Sequence, residues 1–453
     1  MKILHSNNNN GATISMDFYE LTMASAYFNS GIKDSIGIFE MFIRKFPKNR
    51  NYLVASGLEQ IISYLVNFKF NSEQINFLQS MDLFKNDEKF LNYLKDIRFT
   101  GNLFAVHEGT IIFPNEPILR IEAPIIQSQM LETYILSMVN FQTLIASKAS
   151  RIINSAKNIP VIEFGFRRAH SPSAALFGSR ASYIAGCEST SNTLASFRFG
   201  IPVRGTMAHS FVMSFKDEIT AFKNFSLRFP NSFLLIDTYD SINAIKKIIK
   251  NKIKCSGVRI DSGNLPILCK KIRKILDSSG YNNTKIMVSG DLNEFIIKKL
   301  NKENIPIDYF AVGTELMTSK DDPVLNGVYK LVAIKKPYND NKTYKIEYKM
   351  KKTLNKISFP GPKQIFRVIK NNKMYYDILA LENEKVMNGE PLLKPFITNG
   401  KIITHLPTLD EIKEYHNQQV KILPETFKNI DKNMSSFPVY ISTKLKEIIK
   451  SME

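Results

Sequence analysis

Tryptophan is absent from the 453-residue chain, and cysteine occurs only at Cys187, Cys255 and Cys269. Three thiols leave one over from any disulfide and show no paired zinc-ligand spacing, which argues against a disulfide scaffold or a zinc module and for a reduced, cytoplasmic protein. No run of about 18 apolar residues occurs, and Met1-Lys2-Ile3-Leu4-His5 followed by four Asn lacks the apolar segment of a signal peptide. No membrane partner is expected. Acidic residues are also in short supply, 42 Asp and Glu against 61 Lys and Arg, for a formal charge of +19. That excess would ordinarily point to nucleic acid. Here lysines such as Lys246, Lys247, Lys250, Lys252 and Lys254 are scattered over helices and connections without a nucleic-acid motif, so phosphate-bearing small molecules are the expected partners instead.

What is present is enough apolar sequence, 44% of residues, for two or three domains with sizeable cores. Residues 16–29 and 52–68 read as helices, the second from Tyr52, Ala55, Leu58, Ile61, Ile62 and Leu65 near the 3.6 period. Segment 101–125 reads as short strands around 104–106, 110–112 and 118–121, separated by Gly or Pro turns. A long amphipathic helix is expected over 127–156. Beyond it the rhythm becomes strand, loop, helix. Strands are expected at 161–164, 203–206, 234–237, 257–261, 285–289 and 309–312, with helices at 188–198, 240–250, 264–278 and 292–301. Such alternation implies parallel strands with crossover helices, and therefore ligand residues at the carboxyl ends of the strands. After about 330 antiparallel strands return, at 329–334, 344–349 and 364–368, and a Lys-rich helix is expected over 440–451. The expected class is α/β: a TIM-like (β/α) barrel over 141–329, and a second, α+β domain built from 1–140 and completed by 330–453.

The strand ends carry the chemistry. His209 follows Pro202-Val203-Arg204-Gly205-Thr206 and precedes Ser210, where a neutral imidazole could attack the terminal phosphate of ATP. Arg167 and Arg168 follow Glu163-Phe164-Gly165, and their guanidinium forks suit carboxylate or phosphate. Phe164 could stack on a flat heteroaromatic ring. Arg259 and Asp261 share a strand face, with Asp261 placed to accept from ribose hydroxyls or to hold Mg²⁺. Ser289-Gly290 and Gly313-Thr314 expose backbone N–H groups at successive strand ends and mark a 5-phosphate pocket. Nearer the amino terminus, Asp17 and Tyr19 open a helix. Arg44, Lys356, Lys363 and Arg367 could neutralise a pyrophosphate leaving group.

Six blocks together make the chain resemble the nicotinate phosphoribosyltransferase family: Asp17-Phe18-Tyr19-Glu20-Leu21-Thr22-Met23, Glu163-Phe164-Gly165-Phe166-Arg167-Arg168-Ala169, Gly205-Thr206-Met207-Ala208-His209-Ser210-Phe211, Asp237-Thr238-Tyr239-Asp240, Val258-Arg259-Ile260-Asp261-Ser262-Gly263 and Asn326-Gly327-Val328-Tyr329-Lys330-Leu331. The likeness spans roughly 13–370. It implies an irregular barrel and a homodimer with shared active sites, in which Tyr19 from the partner and Phe164 sandwich the pyridine ring with Asp17 nearby. By the same resemblance Arg167 holds substrate, Arg259 and Asp261 contact base and ribose, and His209 is a phosphorylated histidine. Together these imply an ATP-coupled, Mg²⁺-dependent transfer of phosphoribose to nicotinate in NAD salvage.

Two positions depart from the family pattern. Asn264 stands where Asp is frequent, and Ala311 where Gly is usual. A nicotinamide-specific enzyme of the same fold and a non-enzymatic binding homologue are the alternatives, with quinolinate use disfavoured because its second carboxylate wants more cations and the His209 block has no purpose there.

Overall fold

A computed structural model describes residues 12–337, 344–351, 358–431 and 436–453. The chain divides into two compact units, residues 1–143 with 324–427 and 433–453, and residues 144–323 with 428–432. Among the described residues no helix is long and apolar enough to cross a membrane.

The first unit is organised by a seven-stranded antiparallel sheet. Its order is Tyr344–Tyr348, Gly327–Pro337, Ile36–Ile43, Pro117–Pro124, Asn102–Ala105, Lys394–Thr398, Lys401–Ile402. Ile36–Ile43 was not expected from the sequence, yet it lies inside the sheet, third of its seven strands, pairing with Pro117–Pro124 on one side and Gly327–Pro337 on the other. Segments before and after residues 144–323 thus complete one sheet. A four-stranded sheet in the same unit runs Gly389–Pro391, Lys363–Lys370, Lys373–Leu381, Val439–Ile441.

Several expected boundaries shift, each for a local reason. The helix expected over 52–68 begins only at Leu58, after the short strand Leu53–Val54 and a Gly57 held at φ +106°. That conformation is open to glycine and strained for other residues. The helix expected over 127–156 is two helices, Ile125–Gln129 and Glu132–Ala156. At the break the Thr133 amide donates to the Glu20 carboxylate at 2.9 Å rather than to a preceding carbonyl. The last helix is Thr443–Met452, capped by Ser442, and Val439–Ile441 before it is a strand.

The second unit holds a six-stranded parallel sheet ordered Ser189–Thr190, Val161–Glu163, Tyr309–Val312, Lys285–Val288, Gly257–Ile260, Phe233–Leu235. Helices Leu265–Ser278 and Glu294–Lys302 fill the crossovers. In a flat sheet Phe233 and Tyr309, three strands apart, would be separated by roughly 14 Å. Their ring centroids are instead 5.6 Å apart, and Ile162, Phe233, Met287 and Ala311 form one buried cluster. The sheet therefore curls on itself into a half-barrel whose interior is packed with side chains. Residues 203–206, expected as a full strand, contribute a single parallel bridge, Val203 to Thr190. Pro202 brings no N–H to a ladder there, and its carbonyl accepts from Thr190. The segment expected as helix 188–198 is the strand Ser189–Thr190 followed by helix Thr193–Phe199, which starts where the Asn192 side chain accepts from the amides of Leu194 and Ala195. Helices Pro172–Ile184 and Glu218–Arg228 have no counterpart in the sequence reading.

Candidate active site

At the carboxyl ends of the curled strands lies a cavity of about 690 Å³, a volume suited to a nucleotide-sized ligand. Phe164, Arg167, Arg168, Gly205, Thr206, His209, Arg259, Asp261, Ser289, Gly290, Gly313 and Thr314 all line it. Residues scattered over some 150 positions are thus brought to one wall by the topology alone. Ser210, also expected there, is exposed and is not on the lining.

Arg259 organises the centre. Its Nη2 donates to Asp261 Oδ1 at 2.6 Å, its Nε to Ser289 Oγ at 2.9 Å and its Nη1 to Thr206 Oγ1 at 3.3 Å. The guanidinium also lies over the Phe164 ring, 5.5 Å from its centroid, within cation–π range. Ser289 closes the loop by donating to Asp261 Oδ1. Burial pushes the Asp261 carboxyl upward, but the hydrogen bond from Ser289, the charge of Arg259 and the nearby His209 outweigh it and hold the group below the usual carboxylate value. The group is a carboxylate at neutral pH.

Two glycines are required by the crowding at these strand ends. Gly290 has φ +88°, and a Cβ there would lie 2.0 Å from the Asp261 carbonyl oxygen. A Cβ on Gly165 would lie 2.4 Å from Met317 Cβ. The turn that Gly165 opens, Phe166–Arg168, is anchored from below by Glu163, which is fully buried. Glu163 accepts from Thr190 Oγ1 at 2.6 Å, from Ser179 Oγ at 2.9 Å and from the Gly165 amide. Burial nonetheless raises its carboxyl above the ordinary value. Above this anchor the Arg167 and Arg168 side chains are exposed, and among the described residues neither has an acidic partner. Their charge is available to an anionic ligand.

His209 is half-buried at the start of helix His209–Met213, with Nδ1 3.1 Å from Thr238 Oγ1. That contact orients the ring and leaves Nε2 as the other reactive nitrogen. Thr238 and its neighbour Asp237 had no role assigned from sequence. Asp237 Oδ2 accepts from the Asp261 amide at 3.0 Å and from Ser262 Oγ at 2.7 Å, while its Oδ1 is buried without a hydrogen-bond partner. Asp237 follows the Phe233–Leu235 strand much as Asp261 follows Gly257–Ile260. The strand-end rule applied to Asp261 would have found it. Ser191 and Asp291 also line the cavity and were likewise missed.

Among the described residues no group of three or more His, Cys, Asp or Glu could hold a metal by itself. Asp261 and the unsatisfied Asp237 oxygen nevertheless fit Mg²⁺, which is usually bound by one or two carboxylates with substrate phosphates and water completing the shell. Asn264 is no part of this: it is exposed, and its side chain caps helix Leu265–Ser278. Ala311 sits in the buried cluster at the base of the cavity.

The remaining expected residues lie in the first unit, except Lys356, which falls outside the described residues. Asp17 is exposed at the head of helix Phe18–Asn29, Tyr19 has an exposed ring, and Arg44 is half-buried near the Phe42 ring. Two expectations are corrected. Lys363 is 2% exposed and its ammonium meets Glu40 at 2.7 Å and the carbonyls of Phe359 and Gly361. Arg367 is equally buried in a two-pronged pair with Asp377. With their donors occupied and water excluded, these cations hold the sheets of their own unit and are not available to pyrophosphate.

Three family models match the chain: the nicotinate phosphoribosyltransferase N-terminal domain over 14–140, the nicotinate phosphoribosyltransferase family over 159–357 and the C-terminal domain over 386–449. The chain is 39% identical to nicotinate phosphoribosyltransferase pncB2 of Mycobacterium tuberculosis over 95% of its own length and 91% of that protein. It is 38% identical to the nicotinate phosphoribosyltransferase of Bacillus subtilis, covering 94% and 92%. Among solved structures it is similar to human nicotinic acid phosphoribosyltransferase, with a TM-score of 0.83, 25% identity and coverage of 96% and 99% of the two chains. Curled sheet, cavity and sequence agree, and the chain belongs to the nicotinate phosphoribosyltransferase family of enzymes.

Proposed function

We propose that this enzyme transfers the phosphoribosyl group of 5-phosphoribosyl 1-pyrophosphate to the ring nitrogen of nicotinate, giving nicotinate mononucleotide and pyrophosphate. The observation that carries the reading is the grouping around Arg259: an aromatic face at Phe164, unpaired guanidiniums at Arg167 and Arg168, and the Asp261 carboxylate, all on one cavity. Nicotinate presents a flat ring and one carboxylate. Phe164 offers a stacking face, and Arg167, with Arg168 beside it, binds the carboxylate. Ser289, Gly290, Gly313 and Thr314 receive the 5-phosphate, and Gly205 with Thr206 closes the ribose side.

The pyridine nitrogen is already nucleophilic. The barrier lies in breaking the bond from the anomeric carbon to pyrophosphate, which builds positive charge on the ribose ring and negative charge on the departing oxygens. Asp261, held as a carboxylate, stabilises the first by its charge, and the second needs cations. Mg²⁺ bound at Asp261 and Asp237 would supply part of that charge. Tyr19 and Asp17 would reach the ring from the partner subunit of a homodimer.

ATP coupling belongs to the same proposal. His209 attacks the terminal phosphate of ATP, releasing ADP and leaving a phosphohistidine whose charge faces the cationic sugar. Water later removes that phosphate and restores the imidazole. The sum is nicotinate, phosphoribosyl pyrophosphate, ATP and water to nicotinate mononucleotide, pyrophosphate, ADP and phosphate, a cytoplasmic step of NAD salvage. Initial rates with nicotinate, nicotinamide and quinolinate, each with and without ATP, test it: turnover of nicotinate, stimulated by ATP, is expected. Turnover of nicotinamide alone would overturn the substrate, and no turnover of any pyridine would leave a binding homologue.

A further inference from the structure

The cavity's phosphate-facing loops share a buried support that is not on its lining. Lys148, on helix Glu132–Ala156, is 1% exposed and points its ammonium into three carboxylates of the same unit. It lies 2.7 Å from Glu294 Oε2, 3.0 Å from Asp321 Oδ1 and 3.7 Å from Glu315 Oε2. Arg151, one turn on, reaches the other oxygen of Glu294 at 3.1 Å. Glu294 is wholly buried at the first position of helix Glu294–Lys302, just beyond Ser289-Gly290-Asp291. Glu315 directly follows Gly313-Thr314. One ammonium therefore holds the roots of the two loops that close neighbouring strands Lys285–Val288 and Tyr309–Val312.

We propose that Lys148 is a positioning residue that fixes the spacing of the Ser289–Asp291 and Gly313–Thr314 loops for a sugar 5-phosphate and neutralises the carboxylates beneath them. The proposal rests on the reading of the cavity given above. A phosphate gripped by two loops at once needs their amides at a set separation, and Lys148 adds a tie at the loop roots to the hydrogen bonds between their strands. Arg151 at Glu294 and Lys320 at Glu315 supply two positive charges and Lys148 the third, so without Lys148 the carboxylates of Glu294, Glu315 and Asp321 would leave one net negative charge under a dianion in a medium that screens it poorly. Lys148 is not on the cavity lining and so acts through the loops and not on the substrate itself. Its effect belongs in binding of the phosphorylated sugar and not in nicotinate binding or the chemical step.

The test compares Lys148→Met and Lys148→Arg with the unaltered protein. Lys148→Met is expected to raise KM for phosphoribosyl pyrophosphate at least tenfold, with kcat and KM for nicotinate within threefold, and Lys148→Arg to recover most of the loss. Lowered thermal stability with an unchanged KM for phosphoribosyl pyrophosphate would overturn the proposal. Should Lys148→Met fail to fold because its carboxylates are stranded, the double variant Lys148→Met/Glu294→Gln is judged by the same criterion. Calorimetric titration with ribose 5-phosphate separates this idea from the functional reading. Tenfold weaker binding by Lys148→Met in a protein that turns over no pyridine would uphold the tether and end the proposed reaction, whereas unaltered binding in an active enzyme would end the tether alone.

Discussion

Arg259 Nη2 and Asp261 Oδ1 meet at 2.6 Å where strand Gly257–Ile260 ends, Arg259 on the strand and Asp261 the first residue past it. The pair ties the stacking wall of the cavity to its ribose wall. Replacing Asp261 with Asn keeps the size of the side chain and removes the charge that opposes the developing cation. A fall in kcat/KM on the order of 100-fold is expected, measured with saturating nicotinate.

Gly290 is the tightest point of this arrangement. A methyl group there would need the space of the Asp261 carbonyl, and φ +88° is strained for alanine as well. Gly290→Ala is therefore expected to raise KM for phosphoribosyl pyrophosphate more than for nicotinate, and steady-state kinetics varying each substrate in turn separate the two.

His209 is oriented through Thr238. His209→Ala should abolish acid-labile labelling by ATP carrying a radioactive terminal phosphate and remove ATP stimulation, while an ATP-independent basal rate persists. Thr238→Val should leave labelling present but several-fold slower, as expected when only ring orientation is lost.

Lys363 and Arg367 should behave as structural cations. Lys363→Ala strands Glu40 in a dry interior, a change that costs about 3–5 kcal/mol, and urea unfolding should show the loss. Product inhibition by pyrophosphate should be unaltered in any fraction that folds.

Glu20 makes the first unit pH-sensitive. Burial lifts its carboxyl from the ordinary 4.5 to about 7, against the hydrogen bonds from Thr133 and with help from Glu132 and Asp17. Between pH 4.5 and 7 the folded chain holds a proton there that the unfolded chain has released, so stability falls as pH rises through that window. Glu20→Gln should flatten the slope: the difference in thermal midpoint between variant and parent should favour the variant increasingly from pH 5 to pH 8.

What the sequence disclosed, and what it hid, follows the range of the interactions involved. The parallel strands and their ligand-bearing ends were legible because each is a local pattern, an apolar run closed by Asp, Arg or Gly, and the barrel rule then gathers those ends on one face. The Ile36–Ile43 strand escaped notice because its partners come from Pro117–Pro124 and Gly327–Pro337, far from its own eight residues in sequence. Lys363 read as a free cation for the same reason: its partner Glu40 is 323 positions away. The break at Met130–Leu131 carries no Gly or Pro, and its cause, the Glu20 carboxylate, lies on another helix. Asp237 and Thr238 were visible in a recognised block, but their roles depend on the curl that brings them to Asp261 and His209.

The pairing of strand Ile36–Ile43 also sets a timetable for biosynthesis. Ile36 finds its neighbour in Lys335, so at about 5–20 residues per second the ribosome needs on the order of tens of seconds to deliver the missing edge. Throughout that interval one side of Ile36–Ile43 has no strand to bond, while the intervening segment 144–323 is already long enough to collapse into its own curled sheet. Such a nascent chain is a natural client for holding chaperones, and destabilising changes near Ile36–Ile43 should reduce yield during synthesis more than they reduce the endurance of the finished enzyme.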